Sequence, residues 1–92
     1  MVTRKEYRKL AGIAHNLTVA SLSYNRISGT HKVTYRESSD FFKAAAKAQK
    51  VAAAAAFELG MSDERLKHVR IAKMLGLKAK EHLETSLVKI RG

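Results

Sequence analysis

Nine of the thirteen residues from Ala44 to Ala56 are alanine, and the chain contains no proline. Alanine is the strongest helix former, because it loses no side-chain freedom on entering a helix. Without proline, no residue is barred from a helix ladder by a missing N–H or a clashing ring. A helix over this stretch is therefore the element around which the rest must be arranged. Its small side chains let another helix approach closely, so Ala52–Ala56 is expected to serve internal helix–helix packing.

The flanking sequence supplies the other elements. Thr3 and Glu6 have capping-box spacing. Behind them Tyr7, Leu10, Ala14, Leu17, Ser21, Tyr24 and Ile27 recur every three or four residues, which predicts a helix from about Thr3 to Ile27. Val19 and Leu22 lie off this face and leave open an early end near Asn16, with a strand over residues 18–27. Ser28-Gly29-Thr30 is a stop signal. Residues 31–37 alternate apolar and polar, as a loop or short strand at about 30–37 would. The loop is favoured, because a lone strand has no partner. Ser38-Ser39-Asp40 offers an N-cap, so the alanine helix is expected to start at Phe41-Phe42 and end at Gly60. Ser62 offers the next N-cap, with Asp63 and Glu64 in the first turn, where the helix dipole favours acid. Leu66, Val69, Ala72, Ala79, Leu83, Leu87 and Ile90 then mark one face, and Gly76 bends this helix or splits it. Phe41, Phe42 and Phe57 are expected in the core. The expectation is a mainly α, single-domain chain of three helices, or four if broken at Gly76.

Charge narrows the choice of partner. The chain carries 18 Lys and Arg against 8 Asp and Glu, a net charge of +10. The excess falls into helical rows. Arg4, Lys5, Arg8 and Lys9 form two rows at i, i+4, and Lys43, Lys47 and Lys50 form a stripe down the alanine helix. Arg65, Lys67, Arg70, Lys73, Lys78 and Lys80 form a run with no acidic residue among them. Arg36 completes the candidate set. Rows of donors suit a phosphate backbone, so DNA, RNA or a host ribonucleoprotein is the expected partner. A solvated face explains Lys43, Lys47 and Lys50 equally well. The third-helix run favours contact, as a patch bounded by Asp63 and Glu64 before it and Glu81 and Glu84 after it, with Leu66, Val69 and Ala72 turned to the core.

Other classes fare worse. There is no cysteine, so disulfides and thiolate metal sites are excluded. No apolar run is long enough to span a bilayer, and the charged N-terminus is no signal peptide, so no membrane partner is expected and a cytoplasmic setting is natural. The histidines are His15, His31, His68 and His82, and none falls in a metalloprotease motif. His68 and His82 would lie about 21 Å apart along one helix, too far for one metal. Glu81, His82 and Glu84 read as surface. We expect no enzyme, no cofactor and no metal.

Residues 52–71 resemble a helix-turn-helix. Ala56 and Gly60 have its spacing, Ala55, Leu59, Met61, Leu66 and Val69 fit its apolar positions, and Leu59-Gly60-Met61-Ser62 looks like its turn. The resemblance implies a DNA-binding regulator presenting Ser62, Asp63, Glu64, Lys67, His68 and Ile71 to bases. Two carboxylates at the start of such a helix would repel phosphate, which counts against sequence reading. In overall character the chain is similar to phage anti-CRISPR proteins: short, single-domain, free of cysteine and strongly charged. That likeness implies an inhibitor that docks on a CRISPR RNA-guided complex in the bacterial host cytoplasm and blocks target binding. A non-specific nucleic-acid binder is the plainer alternative.

Overall fold

A computed structural model describes the backbone of residues 1–91 and the side chains through Val88. It has three helices, α1 (Arg4–Asn25), α2 (Tyr35–Glu58) and α3 (Ser62–Arg91). No strand forms among the described residues. The region expected as loop or strand holds a single bridge, between Ser28 and Val33.

Thr3 caps α1, its hydroxyl accepting from the Glu6 N–H. The helix continues unbroken past Val19 and Leu22, which are simply exposed. The strand left open over residues 18–27 does not form. Gly29 makes the turn after α1 with φ of 84°. A Cβ there would stand 2.5 Å from the Tyr35 ring, so both backbone sign and space require glycine.

α2 starts earlier than expected. Thr34 is its N-cap, in a capping box with Glu37, and Ser38 and Ser39 are fully buried inside the helix. Ser39 is spent on the α3 backbone, donating to the Ala79 carbonyl at 2.7 Å. Thr34 displaces Ser-Ser-Asp as the cap because Thr-x-x-Glu, four residues upstream of Ser38, satisfies two orphan N–H groups at once. At the other end Gly60 has φ of 70°. The Met61 N–H reaches the Ala56 carbonyl and the Gly60 N–H reaches that of Phe57. These two bonds form a Schellman close. α3 includes Ser62 as its first residue and runs through Gly76 without a break, so the helices number three.

Each helix runs against the next. Ser39 meets Ala79, Gln49 meets His68, and Phe57 meets Arg65. On the other flank Tyr7 packs on Ala55 and Ala56, and Tyr24 stacks on Phe41. α2 is thus the middle element, antiparallel to both neighbours. The core has two apolar centres. One gathers Phe42, Ala45, Ala46, Leu75 and Ala79, with Leu17 and Ile71 against it. The other gathers Tyr7, Ala55 and Ala56 with Leu10, Leu59 and Met61. The expected burial of the alanine run holds for Ala52, Ala53, Ala55 and Ala56.

Two core assignments need correction. Of the phenylalanines only Phe42 is buried; Phe41 is 36% and Phe57 66% exposed. The inward face of α3 is also rotated from the expected one. Ala72, Leu75 and Ala79 are buried, with His68 and His82 partly so, while Leu66, Val69 and Leu87 are exposed. An alanine-rich partner leaves room for small residues and two imidazoles, whereas reading periodicity by bulk picks the larger leucines. Leu87 is exposed for a second reason: in the antiparallel register it lies beyond the start of α2. Ile90, the last residue of the expected face, lies outside the described side chains.

Candidate anion-binding groove

The i, i+4, i+7 spacing of Lys43, Lys47 and Lys50 puts them on the outer edge of α2. Antiparallel packing brings Lys80 of α3 across from them. Between lies a groove of about 520 Å³, lined by these four lysines with Ala46, Gly76, Ala79 and Leu83. Close helix packing through Ala46 and Ala79 makes the floor shallow and apolar. A Cβ built on Gly76 would meet nothing within 4 Å, so no packing demands glycine there. All four lysines are exposed. Among the described residues the only ion pair is Lys78–Glu81 at 3.8 Å, so no carboxylate neutralises the groove.

The remaining candidate cations fall into separate groups. Arg36, Lys43 and Lys50 stand at seven-residue steps, a row of about 21 Å at 1.5 Å per residue. Arg36 therefore extends the groove's lysines toward the start of α2. Lys73, one such step before Lys80, follows the same flank of α3. Lys67 and Lys78 lie on the opposite flank, and Lys78 is held by Glu81. Arg65 sits over the Phe57 ring, 5.1 Å from its centroid, at the α2–α3 turn. Arg70 is exposed on the outer side. Arg4 and Arg8 are exposed near the start of α1, at the end of the molecule that holds the α2–α3 turn. The acid-free run of α3 is thus divided between flanks, and Leu66 and Val69 are not behind it. Leu66 is 47% exposed.

A polar layer between the two apolar centres was not foreseen. The Thr18 hydroxyl donates to the Ala14 carbonyl at 2.8 Å and accepts from Gln49 Nε2 at 2.9 Å. Gln49 Oε1 must then accept, so His68 Nδ1 donates to it at 2.7 Å. The lone pair on His68 Nε2 takes the Tyr7 hydroxyl at 2.8 Å. The Tyr7 hydroxyl can donate into this chain across three helices only when His68 is neutral. Burial holds its pKa below the usual histidine value; Glu64 pulls the other way and Lys67 adds to the lowering. Burial, with Glu64 second, raises that of Tyr7. The sequence signal was weak: a lone glutamine within an alanine run, with a histidine at inward spacing from Ala72 and Leu75.

His82 is likewise turned inward, edge-on to the rings of Tyr35 and Phe42. Its Nδ1, like Ser38 Oγ, is buried without a hydrogen-bond partner. Burial lowers its pKa, Lys78 adds to this, and Glu81 opposes it. The surface cluster expected of Glu81, His82 and Glu84 is therefore not formed: the imidazole belongs to the core edge. No group of three or more His, Asp or Glu among the described residues could hold a metal ion. Among the described residues no helix is long and apolar enough to cross a membrane.

After the turn at Gly60, Ser62, Asp63 and Lys67 are exposed on α3. His68 and Ile71, two of the residues a helix-turn-helix would offer to bases, are spent on Gln49 and on the core around Phe42. The two helices also lie along one direction. At 1.5 Å per residue α2 is about 36 Å and α3 about 45 Å long. The molecule measures 49 × 19 × 18 Å, so neither helix fits across it. No protein-family model, curated protein or solved structure matches the chain.

Proposed function

We propose that this chain is a non-enzymatic binding protein that holds the phosphate backbone of a nucleic acid, free or within a host nucleoprotein, along the α2–α3 groove. The observation that carries the reading is the convergence of Lys43, Lys47, Lys50 and Lys80 on one groove with no carboxylate among the described residues paired to any of them. Unpaired lysines held together repel one another, and an anionic backbone relieves that repulsion while releasing its own counterions. The apolar floor offers no donors or acceptors for reading base edges, so affinity without sequence preference follows.

The helix-turn-helix alternative has less support, because His68 and Ile71 are committed to packing and α2 and α3 run antiparallel. An inhibitor that docks on a CRISPR RNA-guided complex and blocks target binding is the narrower form of the same proposal. It rests on size, charge and the lack of cysteine.

Fluorescence anisotropy across a salt series tests the groove. Four neutralised phosphates give a log–log slope of about −3.6 on duplex DNA and about −2.8 on a single strand. A flat salt response overturns the reading. Capture from bacterial lysate with and without nuclease then separates the two forms. A partner lost on nuclease treatment is held through nucleic acid, and one that survives is held through protein.

A further inference from the structure

Two sides of α2 are accounted for by α1 and α3; the third is not. Glu37, Asp40, Ala44, Lys47, Val51 and Ala54 follow at alternating steps of three and four residues, and all six are exposed. That spacing makes one seam along the helix. Two shallow hollows meet on it. Leu10, Ile13, Ala48 and Val51 edge one, Phe41 with Glu37 and Asp40 edges the other, and Ala44 lines both. Ile13 and Val51 are close to half exposed. The charge along the seam is ordered: acid at its start, lysine past its middle, and small Ala44 between them.

From this order we infer that the α2 seam is an interface between two copies of this chain, antiparallel about a twofold axis close to Ala44. Setting Asp40 opposite Lys47 of the second copy makes the reciprocal pair by symmetry. The same register brings Glu37 opposite Lys50 of the second copy. Ala44 near the axis lets the two helices approach closely, and Phe41, Ile13 and Val51 lose exposure beside them. The repulsion of two copies at +10 each acts over distance, and salt screens it beyond about 8 Å at physiological ionic strength. Pairs in contact are screened less. Glu37 already caps α2 through one carboxylate oxygen, so Asp40 and Lys47 carry the register. The interface draws on Lys47 and Lys50, which also line the groove, and leaves Lys43 and Lys80 there with Arg36 beside them.

Sedimentation equilibrium of the full chain over a concentration series tests it. The mass is expected to climb from 10.2 kDa toward twice that value. Asp40→Lys and Lys47→Asp should each weaken association about tenfold or more, since two symmetry-related pairs become like-charged. Mixing the two variants should restore association, because opposite charges then meet at both contacts. Circular dichroism checks that each variant keeps its helices, as expected for exposed positions. A mass that stays at one copy throughout, a dimer that neither substitution weakens, or a mixture that fails to associate overturns the proposal.

Discussion

His68 joins three helices because each of its nitrogens has a fixed role. Nδ1 donates to Gln49 and Nε2 accepts from Tyr7. Protonation would put a hydrogen on Nε2, turning the Tyr7 hydroxyl from donor to acceptor and taking away its own acceptor, and His82 Nδ1 has no partner for a proton. Both rings have pKa values below 6.5, so the unfolded chain takes up protons first as pH falls. The stability present above pH 6.5 is therefore lost progressively below it, until the folded values are reached. The melting temperature should fall when pH is lowered from about 7.5 to about 5, and a profile flat over that range would show that neither ring is held neutral. Gln49→Ala should be more damaging than its size suggests. It strands the His68 N–H in a half-buried site, at about 1–3 kcal/mol, measurable by urea unfolding. These residues were hard to read from sequence, because polar type suggests surface and only the meeting of three helices makes a glutamine and a histidine interior. The helix-turn-helix resemblance gives His68 to bases, whereas the fold spends it on Gln49 and Tyr7.

The helices show where local chemistry decides and where it does not. Gly60 and Gly76 look alike in sequence, each following a helical run, yet one ends α2 and the other sits inside α3. The difference lies in the backbone: Gly60 has φ of 70° and closes two terminal hydrogen bonds, while Gly76 continues the helix. Opposite outcomes are expected for one substitution. Gly60→Ala should destabilise by about 1 kcal/mol, as alanine is strained at positive φ. Gly76→Ala should stabilise by about 1 kcal/mol, since its Cβ meets nothing and alanine is the better helix former. Thermal melts of the pair check both signs. The early start of α2 teaches a related lesson. Two plausible caps lay four residues apart, and Thr34 won because Glu37 completes its box while Ser38 and Ser39 are taken into the core.

At the scale of the molecule, function turns on which lysines share a groove. Changing Lys43, Lys50 and Lys80 to Glu together should cost at least about a hundredfold in polyanion affinity, three charge-assisted phosphate contacts at more than 1 kcal/mol each. The same change at Lys67, Arg70 and Lys78 should cost much less, because these residues lie outside the groove. Equal losses, read by anisotropy at one salt concentration, would mean that charge alone matters and not its arrangement. Composition and local pattern by themselves determined a proline-free, alanine-centred, mainly α chain of three or four helices with basic rows, since helix propensity, caps and charge act over a few residues. The tertiary structure alone decided which row meets which. Antiparallel packing on small alanines carried Lys80 to the α2 lysines, turned His68 and His82 inward, and left Leu66 and Val69 outside. The reason is that a helix has several faces of similar apolar character, and only the shape of its neighbour selects the one that is buried.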